Sequence, residues 1–488
     1  MSFKISQLEP NGIWANFENI CNVPRPSRKE EKIIAFIEAF AATNKLDCKK
    51  DKVGNILISK PASPGFENRK KVVLQSHLDM VCEKNSDVVH DFENDPIKPY
   101  IDGEWVRAEG TTLGADCGIG IAAQLAILSD PSLKHGPLEC LYTVDEETGL
   151  TGAFALEQGF FESKILINLD SEDEGELFIG CAGGIDSVAT MSFQPREIPA
   201  GFFPLTIKVS GLKGGHSGDD INKGRANAIK ILLRILWDAY HKYGIKLASI
   251  DGGNLRNAIA REASATFIVL KGYKENLVAH FNILVHELEQ ELLITEPSLK
   301  IELSSAEMPE YVISDTHSEK LINTLYACPH GVFSMSYRMP GLVETSTNLA
   351  SVKVKGNSIV EITTSQRSDQ ESGKKNIMSM VESVFLLGGA SVVHSEGYPG
   401  WTPNPNSEIL KITEKAYTDL FGKKPVVRSI HAGLECGLFL SKYPGLDMVS
   451  FGPTIQGAHS PDEQINIDTV EKFWKLLVSV LENIPAEG

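Results

Sequence analysis

The apolar run Val72-Val73-Leu74, followed at once by Gln75-Ser76-His77-Leu78-Asp79, constrains this chain more than any other feature. A short, wholly apolar run reads as a strand buried on both faces. Such strands belong to α/β sheets covered by helices, which bind ligands outside the carboxyl ends of the strands. On an extended segment His77 and Asp79 point to the same side, into that crevice. Four further segments carry acids or a His in similar settings: Gly114-Ala115-Asp116, Asp145-Glu146-Glu147-Thr148-Gly149, Asn168-Leu169-Asp170 and Gly457-Ala458-His459-Ser460. Together they supply one His and one acid for each of two metal ions, with a spare carboxylate to bridge them.

The region up to residue 187 alternates helix and strand. Ser27-Arg28-Lys29-Glu30 reads as a capping box before an apolar stripe of Ile33, Ile34, Ile37 and Phe40. Strands are predicted at 55–58, 72–74, 138–144 and 164–169, and helices at 118–128 and 151–158. This implies an α/β domain with a mixed sheet and flanking helices. After an acidic and then glycine-rich stretch (171–187), an α+β domain begins, taken as 188–400. It contains Gly214-Gly215-His216-Ser217-Gly218 and couples strands to long helices at 226–240, 274–291 and 374–386, a pattern suggestive of internal duplication. The turn-rich Tyr398-Pro399-Gly400-Trp401-Thr402-Pro403 marks its end. Because His459 lies in the α/β tail 401–488, the tail is expected to rejoin 1–187, making the first domain discontinuous and the second an insertion.

The net charge of −17, from 47 basic and 64 acidic residues, argues against nucleic-acid or anionic-membrane partners. No apolar run is long enough to span a bilayer, and the amino terminus lacks a signal-peptide core. The eight cysteines are scattered without CxxC spacing. A reduced, cytoplasmic protein without sulfur-ligated zinc is expected.

Zinc accepts His nitrogen and carboxylate oxygen, and a pair roughly 3.5–4 Å apart clamps an attacking oxygen and a carbonyl together. Asp116, between Gly114 and Gly118, suits a bridge. Of the adjacent Glu146 and Glu147, one can hold metal while the other takes a proton. Taken singly, each segment also fits a solvated turn or a helix cap. Five of them in equivalent settings make that joint reading much weaker.

In this order, the five segments resemble the dinuclear zinc peptidases of the aminoacylase and carboxypeptidase type. Leu113-Gly114-Ala115-Asp116, Gly214-Gly215-His216-Ser217-Gly218, Arg256-Asn257-Ala258-Ile259, Ser365-Gln366-Arg367-Ser368, His431-Ala432-Gly433-Leu434-Glu435 and Gly457-Ala458-His459-Ser460-Pro461 narrow the resemblance to the aminoacyl-histidine dipeptidases, over nearly the whole chain. The resemblance implies that His77 and Asp170 hold one zinc, Glu147 and His459 the other, and that Asp116 bridges. It makes Glu146 the general base and Asp79 the residue that orients His77. The inserted domain becomes a lid. In it His216 holds the scissile carbonyl, Arg367 pairs with the substrate carboxylate, and Asn257 bonds the dipeptide backbone. His431 and Glu435 would line the amino-terminal subsite. Cys117 departs from the Asn or Asp common at that place, and the Asp116–Cys117 bond is expected to be cis.

The expected activity is therefore zinc-dependent hydrolysis of Xaa-His dipeptides by a cytoplasmic homodimer, with Co2+ or Mn2+ able to stand in for zinc. A related aminoacylase or tripeptide aminopeptidase would share the metal ligands. A non-catalytic metal-binding protein would have no need of Glu146. The histidine preference rests on the resemblance alone.

Overall fold

A computed structural model describes residues 4–487. The chain divides into two compact units. The first takes residues up to Gly180, then Pro403–Ser429, then the chain from Leu434; the second takes Cys181–Thr402 and Ile430–Gly433.

The first unit is built on a mixed eight-stranded sheet. Its centre is four parallel strands in the order Leu138–Thr143, Val72–His77, Ile165–Asn168 and Asp447–Ser450. All six residues of Val72–His77 and of Leu138–Thr143 are buried, as the apolar runs require of strands covered on both faces. The edges are antiparallel: Ile56–Lys60 pairs with Leu138–Thr143, and Asp47–Lys50 pairs with Ile56–Lys60. The helix Ala115–Ser129 is apolar nearly all round, and only Asp116 and Ser129 escape burial in it. The helices Asn11–Cys21 and Ile467–Glu482 each present one apolar face to the core, through Trp14 and Phe17 in the first and Phe473 and Leu477 in the second.

Here the residues Ser27–Glu30 act differently from the expected capping box. The helix runs Glu31–Thr43 with no side-chain cap. The Ser27 hydroxyl donates instead to Asp79 Oδ2 (2.8 Å), and Glu30 Oε1 accepts the backbone N–H groups of Arg28 and Asp145. A buried carboxylate is a stronger claim on a hydroxyl than a solvated helix end, where water is an adequate substitute.

The second unit carries a nine-stranded sheet whose paired strands are all antiparallel. Its longest strand, Val343–Lys355, lies next to Ile359–Ser368. The amphipathic helix Ala228–Tyr243, capped by the Asn227 side chain, buries Ile229, Leu232, Leu233 and Leu236 in this unit's core. Phe281, Leu325 and Phe385 join that core from the helices Lys274–Leu292, Asp315–Ala327 and Glu371–Leu387. Among the described residues no helix is long and apolar enough to cross a membrane.

Candidate functional site

Three of the parallel strands finish side by side, and chemistry-bearing residues leave their carboxyl ends. His77 is the last residue of its strand. Beyond Thr143 the chain turns through Asp145, at φ 50°, into Glu146 and Glu147. Asp170 follows Asn168 by two residues. Asp116 stands at the head of the helix Ala115–Ser129, where it and Cys117 are non-helical and the bond joining them is cis, as expected. His459 lies in the hairpin loop between Ile455–Gln456 and Gln464–Asn466.

These side chains converge within the first unit. His77 Nε2 is 3.1 Å from Asp116 Oδ1 and 3.2 Å from Asp170 Oδ1. His459 Nε2 is 3.3 Å from Asp116 Oδ2 and 3.0 Å from Glu147 Oε2. Asp79 Oδ1 lies 3.3 Å from the second ring nitrogen of His77. Asp79 also accepts the backbone N–H groups of Glu146 and Glu147, so one buried carboxylate lies against both the imidazole and the acidic turn.

The electrostatics follow from this crowding. Burial works to lower the His77 pKa, but the carboxylates of Asp170, Asp116 and Asp79 outweigh it, and His77 is held well above its ordinary value. His459 is pushed up to about 11 by hydrogen bonding to Asp116 and Glu147. Burial opposes ionisation of Asp116, yet the two imidazoles hold its carboxyl below the usual range. Burial raises Glu146 well above an ordinary Glu, and the neighbouring charges of Asp170, Glu147 and Glu435 add to it. Burial likewise brings Asp170 to about 6.

This donor set suits divalent cations. His77, Glu146 and Glu147 offer ligand atoms within 4.8 Å of one another, as do Asp116, Glu147 and His459. Glu147 Oε1 is buried with no hydrogen-bond partner, an arrangement a cation would relieve. Imidazole and carboxylate are what zinc takes when sulfur is absent. Cys117 also lies close to His77 and Asp170, but burial raises its thiol well above the ordinary range, and the thiol points to the Leu169 carbonyl (3.4 Å). With its thiol donated to that carbonyl, Cys117 stands as a neighbour of the imidazole and carboxylate set. A further acidic cluster, Glu30, Asp79 and Asp145, is filled by backbone N–H and hydroxyl donors, including those of Thr148 and Thr151. It shapes the turn that presents Glu146.

Sequence reasoning overlooked two buried residues here. Glu463 is 2 % exposed, and its carboxylate receives the backbone N–H groups of Leu113, Gly114 and Ala115 at 2.7–2.8 Å. Arg25, 3 % exposed, donates to the carbonyls of Leu78, Asp79 and Gly114. Their partners are main-chain groups, which leave no mark in a residue pattern.

In the second unit His216 and Arg367 are neighbours: His216 Nε2 is 3.5 Å from Arg367 Nη2. The His216 ring also accepts from the Asp219 N–H (3.2 Å), and Arg367 donates to the Tyr398 hydroxyl (3.0 Å). Arg367 is largely buried, and its Nε has no partner among the described residues. Asn257 is exposed, and its carbonyl holds the Ser217 N–H (2.8 Å) beside His216. His431 and Glu435, read together in the sequence, part company. His431 belongs to the second unit, bonded to Ser346 Oγ (2.7 Å) and lowered to about 3 by burial and by Arg367. Glu435 is buried in the first unit, where Oε2 accepts from Gln75 and Thr143.

Imidazoles and carboxylates gathered about the strand ends of a mixed α/β sheet, with Glu146 beside them, define a metal-dependent hydrolase. Residues 73–483 match the family model described as Peptidase family M20/M25/M40, and the chain belongs to that family of metallopeptidases. It is 46 % identical over 484 residues to the cytosol non-specific dipeptidase of Escherichia coli (strain K12), covering 99 % of this chain and 100 % of that one. The crystal structure of aminoacylhistidine dipeptidase from Vibrio alginolyticus superposes with a TM-score of 0.93 at 46 % identity, covering 100 % of this chain and 99 % of that one. An aminopeptidase from Bacillus cereus shares the fold, at a TM-score of 0.57 and 15 % identity, with 98 % of this chain and 99 % of that one covered.

Proposed function

We propose that this metallopeptidase is a dipeptidase that works on a pair of zinc ions, prefers a histidine in the second position of its substrate, and acts as a cytoplasmic homodimer. The observation that carries the two-cation reading is the Asp116 carboxylate, whose two oxygens face two different imidazoles. His77 and Asp170 would hold one ion, Glu147 and His459 the second, and Asp116 would join them. Full-length similarity to two dipeptidases supports the substrate class, and the aminoacylhistidine dipeptidase likeness supports the histidine preference. Co2+ or Mn2+ would serve in the same ligand set.

Bound there, two divalent cations would make a water acidic enough to attack at neutral pH and would polarise the scissile carbonyl. Glu146 takes the proton from the attacking water and delivers it to the departing amine. Its place beside His77 and Glu147 suits both tasks, because a carboxylate there is within reach of a water held at the same ligands. Asp79 fixes the ring of His77 through Nδ1, leaving Nε2 for the ion. In the second unit, the reading assigns His216 to the carbonyl oxygen, Arg367 to the carboxylate that every dipeptide carries, and Asn257 to the peptide backbone. Tyr398, bonded to Arg367, would keep that guanidinium in place.

A substrate panel tests the reading: β-Ala-His and other Xaa-His dipeptides against other dipeptides, tripeptides and N-acetylated amino acids. Cleavage concentrated on Xaa-His dipeptides is the expected result. Preferential cleavage of tripeptides or N-acyl amino acids would keep the hydrolase and overturn the substrate assignment. Failure to cleave any of them with zinc bound would overturn the catalytic reading.

A further inference from the structure

Glu463 lies four residues beyond His459, in the same hairpin loop, yet its side chain is spent on another segment. Its two oxygens accept three consecutive backbone N–H groups, from Leu113 (2.7 Å), Gly114 (2.8 Å) and Ala115 (2.7 Å), with the Asp116 N–H at 3.4 Å. Successive amides turned toward one anion form a nest, and such bonds to an ionised acceptor are the strong kind. The nest requires Gly114 at φ 70°, a conformation that brings the Gly114 carbonyl to Arg25. The same guanidinium holds the carbonyls of Leu78 and Asp79, just beyond His77. Arg25, the Gly114 peptide and Glu463 thus form one buried relay. It ties together the segments that carry His77, Asp116 and His459.

We infer that Glu463 is a positioning residue for the metal pair: by clamping the 113–116 turn to the His459 loop, it fixes the Asp116 carboxylate midway between the two imidazoles. The inference rests on the two-cation reading above. Glu463 is assigned to neither cation nor substrate, since both its oxygens are taken by backbone N–H groups. Its work is to preset a spacing that each cation would otherwise have to enforce on binding. Loss of the clamp separates the two loops, so cation affinity falls even where the fold survives.

Glu139 provides the matched control. It is another buried Glu that accepts backbone N–H groups, those of Glu162 and Ser163, but it sits at the start of its strand, away from the ligands. Full-length wild type, Glu463→Gln, Glu463→Asp and Glu139→Gln are stripped with chelator, then titrated with Zn2+ by calorimetry. Hydrogen exchange is followed at the amides of 113–116. Glu463→Gln is expected to weaken zinc binding about 10–100-fold, as loss of an outer partner of a metal site does, and to speed exchange of those amides. Glu463→Asp, which keeps the charge and shortens the reach, is expected to fall between it and wild type. Glu139→Gln is expected to lose thermal stability and keep wild-type affinity.

Wild-type affinity in Glu463→Gln, or an equal loss in Glu139→Gln, would overturn the inference and leave the two-cation reading standing. If Glu463→Gln does not fold, wild-type affinity in Glu463→Asp would overturn it in the same way. A wild-type chain that binds no zinc would overturn both.

Discussion

Asp116 and His459 meet across 343 positions of sequence: the imidazole Nε2 is 3.3 Å from the carboxylate Oδ2, while the other oxygen of that carboxylate faces His77. One acid between two imidazoles is unnecessary for a single ion and apt for two. Replacing it with Asn removes the shared charge and half the acceptor capacity. Asp116→Asn is expected to lower turnover by at least about 100-fold, more than loss of a residue that only orients a ligand. Steady-state hydrolysis of a dipeptide with zinc in excess checks this.

Glu146→Gln separates proton transfer from metal binding. The variant keeps the shape and loses the base, so it is expected to retain zinc and to lose turnover by roughly 10²–10⁴-fold. Metal analysis of the purified variant beside its rate makes the check. A variant that hydrolyses dipeptides at the wild-type rate with zinc bound would remove Glu146 from the proton path.

Without metal, His459 gives the protein a pH signature. Its folded pKa is raised to about 11 by Asp116 and Glu147. A raised pKa contributes stability that is fully present below the unfolded value of about 6.5 and is lost as pH rises through the folded value. The chelated protein is therefore expected to melt at progressively lower temperature from about pH 6.5 upward. The zinc-loaded protein is expected to lack that decline over the same range, because bound metal has already displaced the proton. Thermal melts of both forms across pH measure the difference.

Much of this site is legible in the amino-acid sequence. Apolar runs such as Val72–Leu74 are dense enough to mark buried parallel strands, and the acids that follow them fall where such sheets bind ligands. The residues that hold the site together are harder to read. Glu463 and Arg25 act on main-chain groups about 350 and 90 positions away, and a backbone N–H or C=O is the same in every residue. Ser27 and Glu30 carry a local signal for a helix cap that buried Asp79 and Asp145 override. In the second unit the strand Val343–Lys355 is rich in Ser, Thr and Asn, so it lacks an apolar run. Its interior is nevertheless buried, with Thr345 paired to Ser368 and Thr347 to Gln366 by hydrogen bonds.

Gly114 offers a test of the local backbone independent of metal. It is held at φ 70°, and a Cβ there would come within 2.6 Å of Arg25 Nη2 and 2.9 Å of Met80 Sδ. The left-handed conformation alone costs a non-glycine residue about 1–2 kcal/mol. Gly114→Ala is expected to destabilise by at least that amount, measured by denaturant unfolding of the chelated chain. Gly159, also at positive φ but with nothing within 4 Å of an added Cβ, is expected to show the backbone term alone when changed to Ala.

Two cations, joined by Asp116, are expected to be needed for dipeptide hydrolysis. The most direct measurement strips the wild-type chain with chelator and returns zinc in known increments while β-Ala-His cleavage and bound metal are followed together. No turnover is expected without metal, and activity is expected to become maximal only as occupancy reaches two ions per chain. Full turnover in the stripped protein, or turnover already maximal at one ion per chain, would contradict it.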